Sequence, residues 1–258
     1  MDNFEHKVFE SSSVSPLITI VTVVYNSAAT LEKTIRSVTE QDYGKIEYIV
    51  IDGGSTDESI QIIKKQESNL SAWLSEKDNG IYDAMNKGIR MASGDWVCFL
   101  NSGDIFVDSQ IIGKVAKEIS QSNRNQDVIY GNILVRKADG LFKERIAKEP
   151  CNIHRMYFCH QSAFVRRELL QKFGFDEQHP MSADLKFFKQ CYYNGNSFVH
   201  LNFPVVIYDT SGVSNTHRER GLRDNIAVIQ EIDRGLKKYV FLLRLHFVIY
   251  WRKLANKK

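Results

Sequence analysis

The stretch LITIVTVVYN, residues 17–26, constrains this chain most. It is β-branched, of strand length and apolar on both faces. That pattern fits a strand covered from both sides, as in a parallel sheet. In the following segment, AATLEKTIRSVTEQ, Leu31, Ile35 and Val38 recur at helical intervals, and Ser27 stands where an N-cap belongs. KIEYIVIDGGSTDES then reads as a strand over 46–51, a glycine-containing turn, and a helix opening near Thr56 or Asp57 that carries Ile60, Ile62 and Ile63. Strand–helix–strand–helix over the first 65 or so residues predicts right-handed crossovers and a parallel sheet.

The pattern continues. Residues 77–80 are a turn, 81–93 a helix closed by Gly94, 95–101 a buried strand, and 102–104 a loop. The polar stretch 120–127 reads as a surface loop. DVIYGNILVRK and GLFKERIA are two strands around Asp139-Gly140, a hairpin signal. Helices are expected near 166–173 and 182–194, and strand over 197–209.

Composition narrows the class. At 258 residues and 43% hydrophobic, the chain can bury one sizeable core with a small appendage. Its four cysteines, Cys98, Cys151, Cys159 and Cys191, form no C-x-x-C pair, which argues against a disulfide scaffold or a structural zinc. The acidic start has no apolar leader core, and no run reaches the roughly 20 apolar residues of a membrane span. A reducing cytoplasm is the expected compartment. The net charge of +3 is unevenly spread: residues 234–258 hold eight Lys or Arg and no acid. Setting those eight aside leaves 26 cations against 31 anions, an acidic body with a basic tail.

In an open α/β sheet, ligands bind beyond the carboxyl ends of the strands. Tyr25-Asn26-Ser27, Asp52–Asp57 and Asn101-Ser102-Gly103-Asp104 follow three strands, and Asp78-Asn79-Gly80 precedes a helix. Asp, Asn and Gly converging there suit a nucleotide: carboxylates accept from ribose or base, and turns and helix starts offer N–H groups to phosphates. An Asp beside a diphosphate needs a divalent cation between them. Taken singly, each cluster is also what an ordinary turn with a helix cap looks like. The absence of G-x-G-x-x-G and of G-x-x-x-x-G-K-[ST] argues against a dinucleotide oxidoreductase and a P-loop enzyme.

The ordered pieces VTVVYN (21–26), IDGGSTD (51–57), EKDNGIYDAMNKG (76–88) and SGDWVCFLNSGD (93–104) resemble family 2 glycosyltransferases, most closely the bacterial branch that builds capsule, exopolysaccharide and O-antigen. HQSAFVRR (160–167) and the acid in MSADLKFF (181–188) are similar to that branch too. The likeness covers about 17–215. It implies a GT-A fold, with a Rossmann-like, mostly parallel sheet flanked by helices. The domains would be a lead at 1–16, a catalytic domain at 17–215, and a loop and basic helical extension at 216–258.

The resemblance implies inverting transfer of a sugar from a nucleotide-diphosphate sugar, with a UDP-sugar the expected donor, to a glycan or lipid-linked hydroxyl. Thr22, Val24, Tyr25 and Asn26 would line the base pocket, with Asp52 on the base edge beside Gly53. Asp78, Asn79 and Gly80 would lie near the nucleotide, and Asp83, Asn86 and Lys87 near ribose or diphosphate. Asp83 and Lys87, four apart on a helix, also fit a plain surface ion pair. The usual D-x-D element, as in L-D-A-D-D, matches Leu100-Asn101-Ser102-Gly103-Asp104, where only Asp104 is charged. Asp104 and Asn101 would hold Mg²⁺ or Mn²⁺, with Ser102 and Gly103 beside the nucleotide. Asp184 would be the base that takes the acceptor proton, ahead of Asp176 and Glu177. His160 and Gln161 would border the sugars, and His217, with Arg218 or Arg220, would approach the diphosphate from a loop. A sugar-phosphate nucleotidyltransferase is the alternative, disfavoured by the lack of Gly, Arg or Lys in Tyr25–Ala29; a degenerate nucleotide-sugar-binding subunit is another.

The segment 237–251 joins aromatic and aliphatic bulk to Lys237, Lys238 and Arg244. It suits a helix at the inner face of the cell membrane, or one docked on the domain or on a second copy in a homo-oligomer. No nucleic-acid partner is expected.

Overall fold

The computed structural model describes residues 15–121, 126–137, 139–151, 154–210 and 217–255. Most of the expected N-terminal lead, the centre of the 120–127 loop and residues 211–216 lie outside the described residues.

One mixed sheet organises the molecule. Its strands are β1 (Ile18–Val24), β2 (Ile46–Asp52), β3 (Ala72–Ser75), β4 (Trp96–Phe99), β5 (Ile105–Phe106), β6 (Val128–Arg136), β7 (Phe142–Arg145), β8 (Ala163–Arg166) and β9 (Phe198–Tyr208). They run in the order β3-β2-β1-β4-β8-β6-β9-β5, with β7 paired to β6. The expected parallel pairing holds across β3, β2, β1 and β4. Beyond it, β8 enters antiparallel to both β4 and β6. β6 and β9 are parallel, with a register irregularity at Gly131–Asn132, opposite Pro204; proline lacks the N–H a regular ladder needs.

All seven residues of β1 are buried; five are aliphatic, and the hydroxyls of Thr19 and Thr22 are satisfied by Glu47 and Tyr48. Its residues divide between two cores. Val21 and Val23 face α3 (Ile81–Met91), α5 (Arg167–Phe173) and α6 (Ala183–Tyr193), among Met85, Ile89, Leu170 and Phe187. Ile20 and Val24 face α1 (Ala28–Thr39), α2 (Ser59–Lys65) and α4 (Ile111–Gln121), among Leu31, Ile35, Ile63 and Val115. Each fully buried aliphatic side chain contributes roughly 1.5–3 kcal/mol, so the two covered faces fix the sheet and leave the strand ends to function.

Local details differ from expectation. β3 goes unforeseen, because four half-buried residues are too few to show a period. α2 starts at Ser59 rather than near Thr56. Asp57 explains this: its Oδ1 accepts the Ser59 N–H and its Oδ2 the Ala28 N–H, at 3.0 and 2.9 Å. Asp57 therefore caps α1 from across the loop. Ser27 holds the N-cap position of α1, but its hydroxyl donates to the Tyr25 carbonyl. The hairpin at Asp139-Gly140 forms as expected.

Two helices end the described chain, α7 (Arg218–Ile232) and α8 (Gly235–Ala255). His217 stands at the N-cap of α7, so Arg218 and Arg220 lie in a helical first turn rather than in the loop expected there. α7 is tied to the start of α6: Asp224 accepts the Met181 N–H at 2.7 Å and Asn225 the Ser182 hydroxyl at 2.6 Å. Lys189 and Asp233, both fully buried, pair at 2.9 Å. α8 packs on α7 through Leu245 and Ile249 against Ile226 and Ile229.

Candidate functional site

Loops at the carboxyl ends of β1, β2 and β4 and the starts of α3 and α6 come into contact, at the edge where an open α/β sheet has its crevice. Asn26, with φ +47°, clips the first two loops together. Its N–H donates to Ser55 Oγ and its side-chain carbonyl accepts the Thr56 N–H, both at 2.8 Å. Asp52 is fully buried at the end of β2. Its Oδ2 accepts the Gly54 and Ser55 N–H groups and the Ser75 hydroxyl, while its Oδ1 is buried without a partner among the described residues. A buried carboxylate oxygen left open calls for a donor from outside the chain. Asp78 lies against Gly53, where even a Cβ would meet its Oδ2 at 2.1 Å. Burial pushes the Asp78 carboxyl up, against the pull of the Gly80 N–H and Lys87.

Asp83 accepts the Asn79 N–H at 3.0 Å and so fixes the turn before α3. Lys87 is buried beside it. It pairs with Glu76 at 3.0 Å, lies 3.6 Å from Asp83, and donates to the Lys77 carbonyl. Burial works against its charge, but the Glu76 hydrogen bond and the Asp83, Glu76 and Asp78 charges outweigh it, and its pKa is raised. The Asp83–Lys87 pair is thus part of the crevice wall rather than a surface pair.

At the end of β4, Asn101 Oδ1 is likewise buried without a partner among the described residues, and the Asn101 Nδ2 lies 3.4 Å from His160 Nε2. Ser102 Oγ is 3.5 Å from the Thr30 hydroxyl. Asp104 is 3% exposed and its Oδ1 accepts the Asp209 N–H at 2.8 Å. Burial lifts its pKa to about 7; the charge of Asp209 adds to this, and the Asp209 N–H, His160 and Gln161 oppose it. Oxygen donors with one orphaned acceptor fit a hard divalent ion, although Asp104 alone is a weak anion for that purpose.

His160 joins this group to Asp184. Its Nδ1 lies 3.1 Å from Asp184 Oδ2, while Asp184 Oδ1 accepts the Tyr82 hydroxyl at 2.9 Å and the Leu185 N–H at 2.8 Å. Burial alone would raise the Asp184 pKa, but His160, the Leu185 N–H and Tyr82 outweigh it and hold the group below its usual value. The carboxylate stays charged, and 14% of its side chain stays exposed. Tyr82 is the residue that sequence reasoning missed. It lies inside the quoted EKDNGIYDAMNKG piece, four residues after Asp78, and only the fold brings it to an acid 102 residues away.

Several expected site residues are placed elsewhere. Thr22 and Val24 turn into the core; the Thr22 hydroxyl meets Tyr48 at 3.0 Å, so neither side chain lines the crevice. Tyr25 is 63% exposed at the rim. Both ends of the Asn86 amide hold the backbone of Phe175, and its Nδ2 also donates to Glu177. Asn86 therefore anchors a loop rather than facing the nucleotide groups. Gln161 is buried, accepts from the Cys159 thiol and supports Asp104. Asp176 and Glu177, the rival bases, are engaged by Lys186 and Asn86. Asp176, His179 and Glu231 cluster closely enough to suggest a metal site. The Lys186 ammonium already bridges Asp176 and Glu231, and His179 bonds Asp224 and Glu231, so the cluster is an ion-pair network.

Residues 19–174 match the family model described as Glycosyl transferase family 2. A PGL/p-HBAD biosynthesis glycosyltransferase of Mycobacterium tuberculosis is 27% identical over 93% of this chain and 98% of its own length. Among solved structures, S. aureus TarS 1-349 in complex with UDP-GlcNAc is similar at TM-score 0.67 and 20% identity, over 90% of this chain and 72% of that one. The mannosyltransferase PcManGT from Pyrobaculum calidifontis, in complex with GDP-Man and Mn²⁺, is similar at TM-score 0.67 and 16% identity, over 91% and 70%. At these identities the likeness to the solved structures is one of fold, the GT-A fold.

Proposed function

This chain belongs to glycosyltransferase family 2, and on that premise we propose that it is an inverting enzyme that moves a sugar from a UDP-sugar to a hydroxyl of a glycan or lipid-linked acceptor in bacterial surface polysaccharide synthesis. One observation carries the chemistry: Asp184 is kept anionic by Tyr82 and His160, and His160 ties it to Asn101 at the end of β4. Asp52 Oδ1 offers the base an acceptor, and Asp78, Asn79, Gly80, Asp83 and Lys87 surround the ribose and diphosphate. Asp184 takes the proton from the acceptor hydroxyl. The acceptor oxygen attacks the anomeric carbon, and the bond to the diphosphate oxygen breaks on the opposite face. The electron pair leaves with the nucleoside diphosphate. Asn101 and Asp104 would hold a divalent cation, Mg²⁺ or Mn²⁺. When bound, such an ion supplies positive charge to the leaving diphosphate. The bound complexes of the fold relatives, with UDP-GlcNAc and with GDP-Man and Mn²⁺, support this reading. The test is transfer from a panel of nucleotide-sugars to membrane lipid extracts. Absence of nucleotide binding and of turnover with every donor would sink the proposal.

The acceptor side rests on α8. Tyr239, Leu243, Phe247, Tyr250 and Trp251 are each at least 55% exposed. At 100° per residue they share about a third of the helix circumference, opposite the Leu245–Ile249 contact with α7. Lys237 and Arg244 border that face, and no acid lies between 234 and 258. Pairing this face with a second copy would set like charges together, whereas an anionic lipid surface complements it. Among the described residues no helix is long and apolar enough to cross a membrane, so the reading is of a helix lying on the surface. The test is co-sedimentation with phosphatidylglycerol vesicles, at low and high salt. Equal recovery on neutral vesicles, or none on anionic ones, would return the helix to protein docking.

A further inference from the structure

The element after β4 has one carboxylate, Asp104, and that group is nearly buried and hydrogen-bonded to the Asp209 N–H. The position before it is Gly103, with φ +104°, a conformation side chains rarely adopt. The space a side chain would fill is taken. A Cβ on Gly103 would stand 2.8 Å from Asp209 Oδ2 and 3.4 Å from Asp209 Cβ. The sheet explains the coincidence: β5 and β9 pair antiparallel, Ile105 with Ile207, and the same register carried two residues on sets Gly103 opposite Asp209.

We propose that Asp209 is a cation ligand of this enzyme, a carboxylate supplied from the end of β9 over the bare Gly103, completing with Asn101 Oδ1 and Asp104 an all-oxygen site for Mn²⁺ or Mg²⁺. Two further observations point to a missing cation. Asn101 Oδ1 is buried in the same loop without a partner among the described residues. The Asp209 carboxylate stands over Gly103 while its own N–H bonds Asp104 Oδ1, so two acids share one corner, an arrangement that a divalent ion between them favours. The donor set, two carboxylates and an amide carbonyl, is the all-oxygen kind that suits Mg²⁺ and Mn²⁺. In this chain the acid expected within a short sequence element comes instead from a strand about a hundred residues later. Thinned charge in that element then implies no loss of metal dependence.

The inference rests on the nucleotide-sugar reading, and its test separates the two. Mn²⁺ binding to the purified full chain is followed by the loss of the free-ion electron paramagnetic resonance signal, with and without UDP. UDP binding without metal is followed by calorimetry. Asp209→Asn should weaken Mn²⁺ binding at least about tenfold, because even outer-shell partners of metal ligands count for 10- to 100-fold, and should leave metal-free UDP binding and the melting temperature unchanged. Asp209→Glu, which keeps the charge, should retain Mn²⁺ binding to within a few-fold of the parent. Undiminished Mn²⁺ affinity in Asp209→Asn overturns the assignment while leaving the proposed function standing, as does a parent chain that binds UDP but no Mn²⁺. A parent chain that binds neither UDP nor a nucleotide-sugar overturns both. If Asp209→Asn melts early, the Glu variant decides: a folded Asp209→Glu that binds Mn²⁺ as the parent does supports the ligand role, and one that fails to bind refutes it.

Discussion

At the carboxyl ends of β2 and β4, polar atoms are buried with no partner among the described residues: Asp52 Oδ1 and Asn101 Oδ1. Along the outer face of α8 the reverse holds, and large apolar side chains such as Leu243 and Phe247 stand 72% and 61% exposed. In the first region a protein interior withholds hydrogen bonds, which disfavours folding unless something polar arrives. In the second, the surface withholds cover from apolar area, which disfavours the isolated chain unless something apolar arrives. The two regions therefore select opposite ligands, and each can be broken without touching the other.

The largest effect belongs to the base. Asp184→Asn should lower transfer by about 10²–10⁴-fold, the usual share of general-base catalysis, while calorimetric UDP affinity stays at the parent value. A matching loss of UDP binding would place Asp184 in the nucleotide site instead. Next comes the orphaned oxygen of Asp52. Asp52→Asn weakens charge-assisted bonds to the Gly54–Ser55 loop and to the base. It should raise the UDP dissociation constant by roughly 10- to 100-fold, since hydrogen bonds to charged groups contribute about 1.5–3 kcal/mol. On the other side of the comparison, Phe247→Glu should cut partition onto anionic vesicles by about tenfold or more, given about 1.5–3 kcal/mol for one large apolar side chain. UDP binding should not change; a parallel fall would mean that α8 supports the crevice.

The smallest effect is on stability with pH. Hydrogen bonds to Lys186 and His179 lower the Glu231 pKa, and the Lys186 bond lowers that of Asp176 despite partial burial. Acids whose folded pKa is depressed stabilise the fold above their unfolded values, and that contribution is lost as pH falls through the folded ones. Thermal midpoints measured from pH 6 to pH 3 should therefore fall less steeply in Lys186→Met than in the parent, from a lower starting point. The same slope in both would mean that this network does not carry the acid sensitivity.

Much of the parallel half was legible because one rule governs it. A strand buried on both faces is mostly apolar, as β1 and β4 are over their whole length and β2 is from Tyr48 to Ile51. The polar groups that interrupt such strands fall at their ends, which made Asp52, Asp78 and Asn101 visible. What sequence could not show is direction. Thr22 and Val24 sit in the right strand but face a core whose second wall comes from α1 and α4. Asn86 looks like a crevice residue until Phe175 arrives from 89 positions away. Tyr82 and Asp209 acquire their roles through contacts with residues about a hundred positions distant, across loops that no local period encodes. The tail was legible in composition, and its outward face only became definite once α7 had claimed the other side.

Asp57 shows how far one short side chain can reach. By accepting N–H groups from Ala28 and from Ser59, it makes a single anion the N-terminal anchor of two helices that the sequence separates by a whole strand. Fraying at either helix start costs the other part of its cap, a coupling of about 1.5–3 kcal/mol for a hydrogen bond to a charged group, and the contact between Asn26 and Thr56 lies across the same junction.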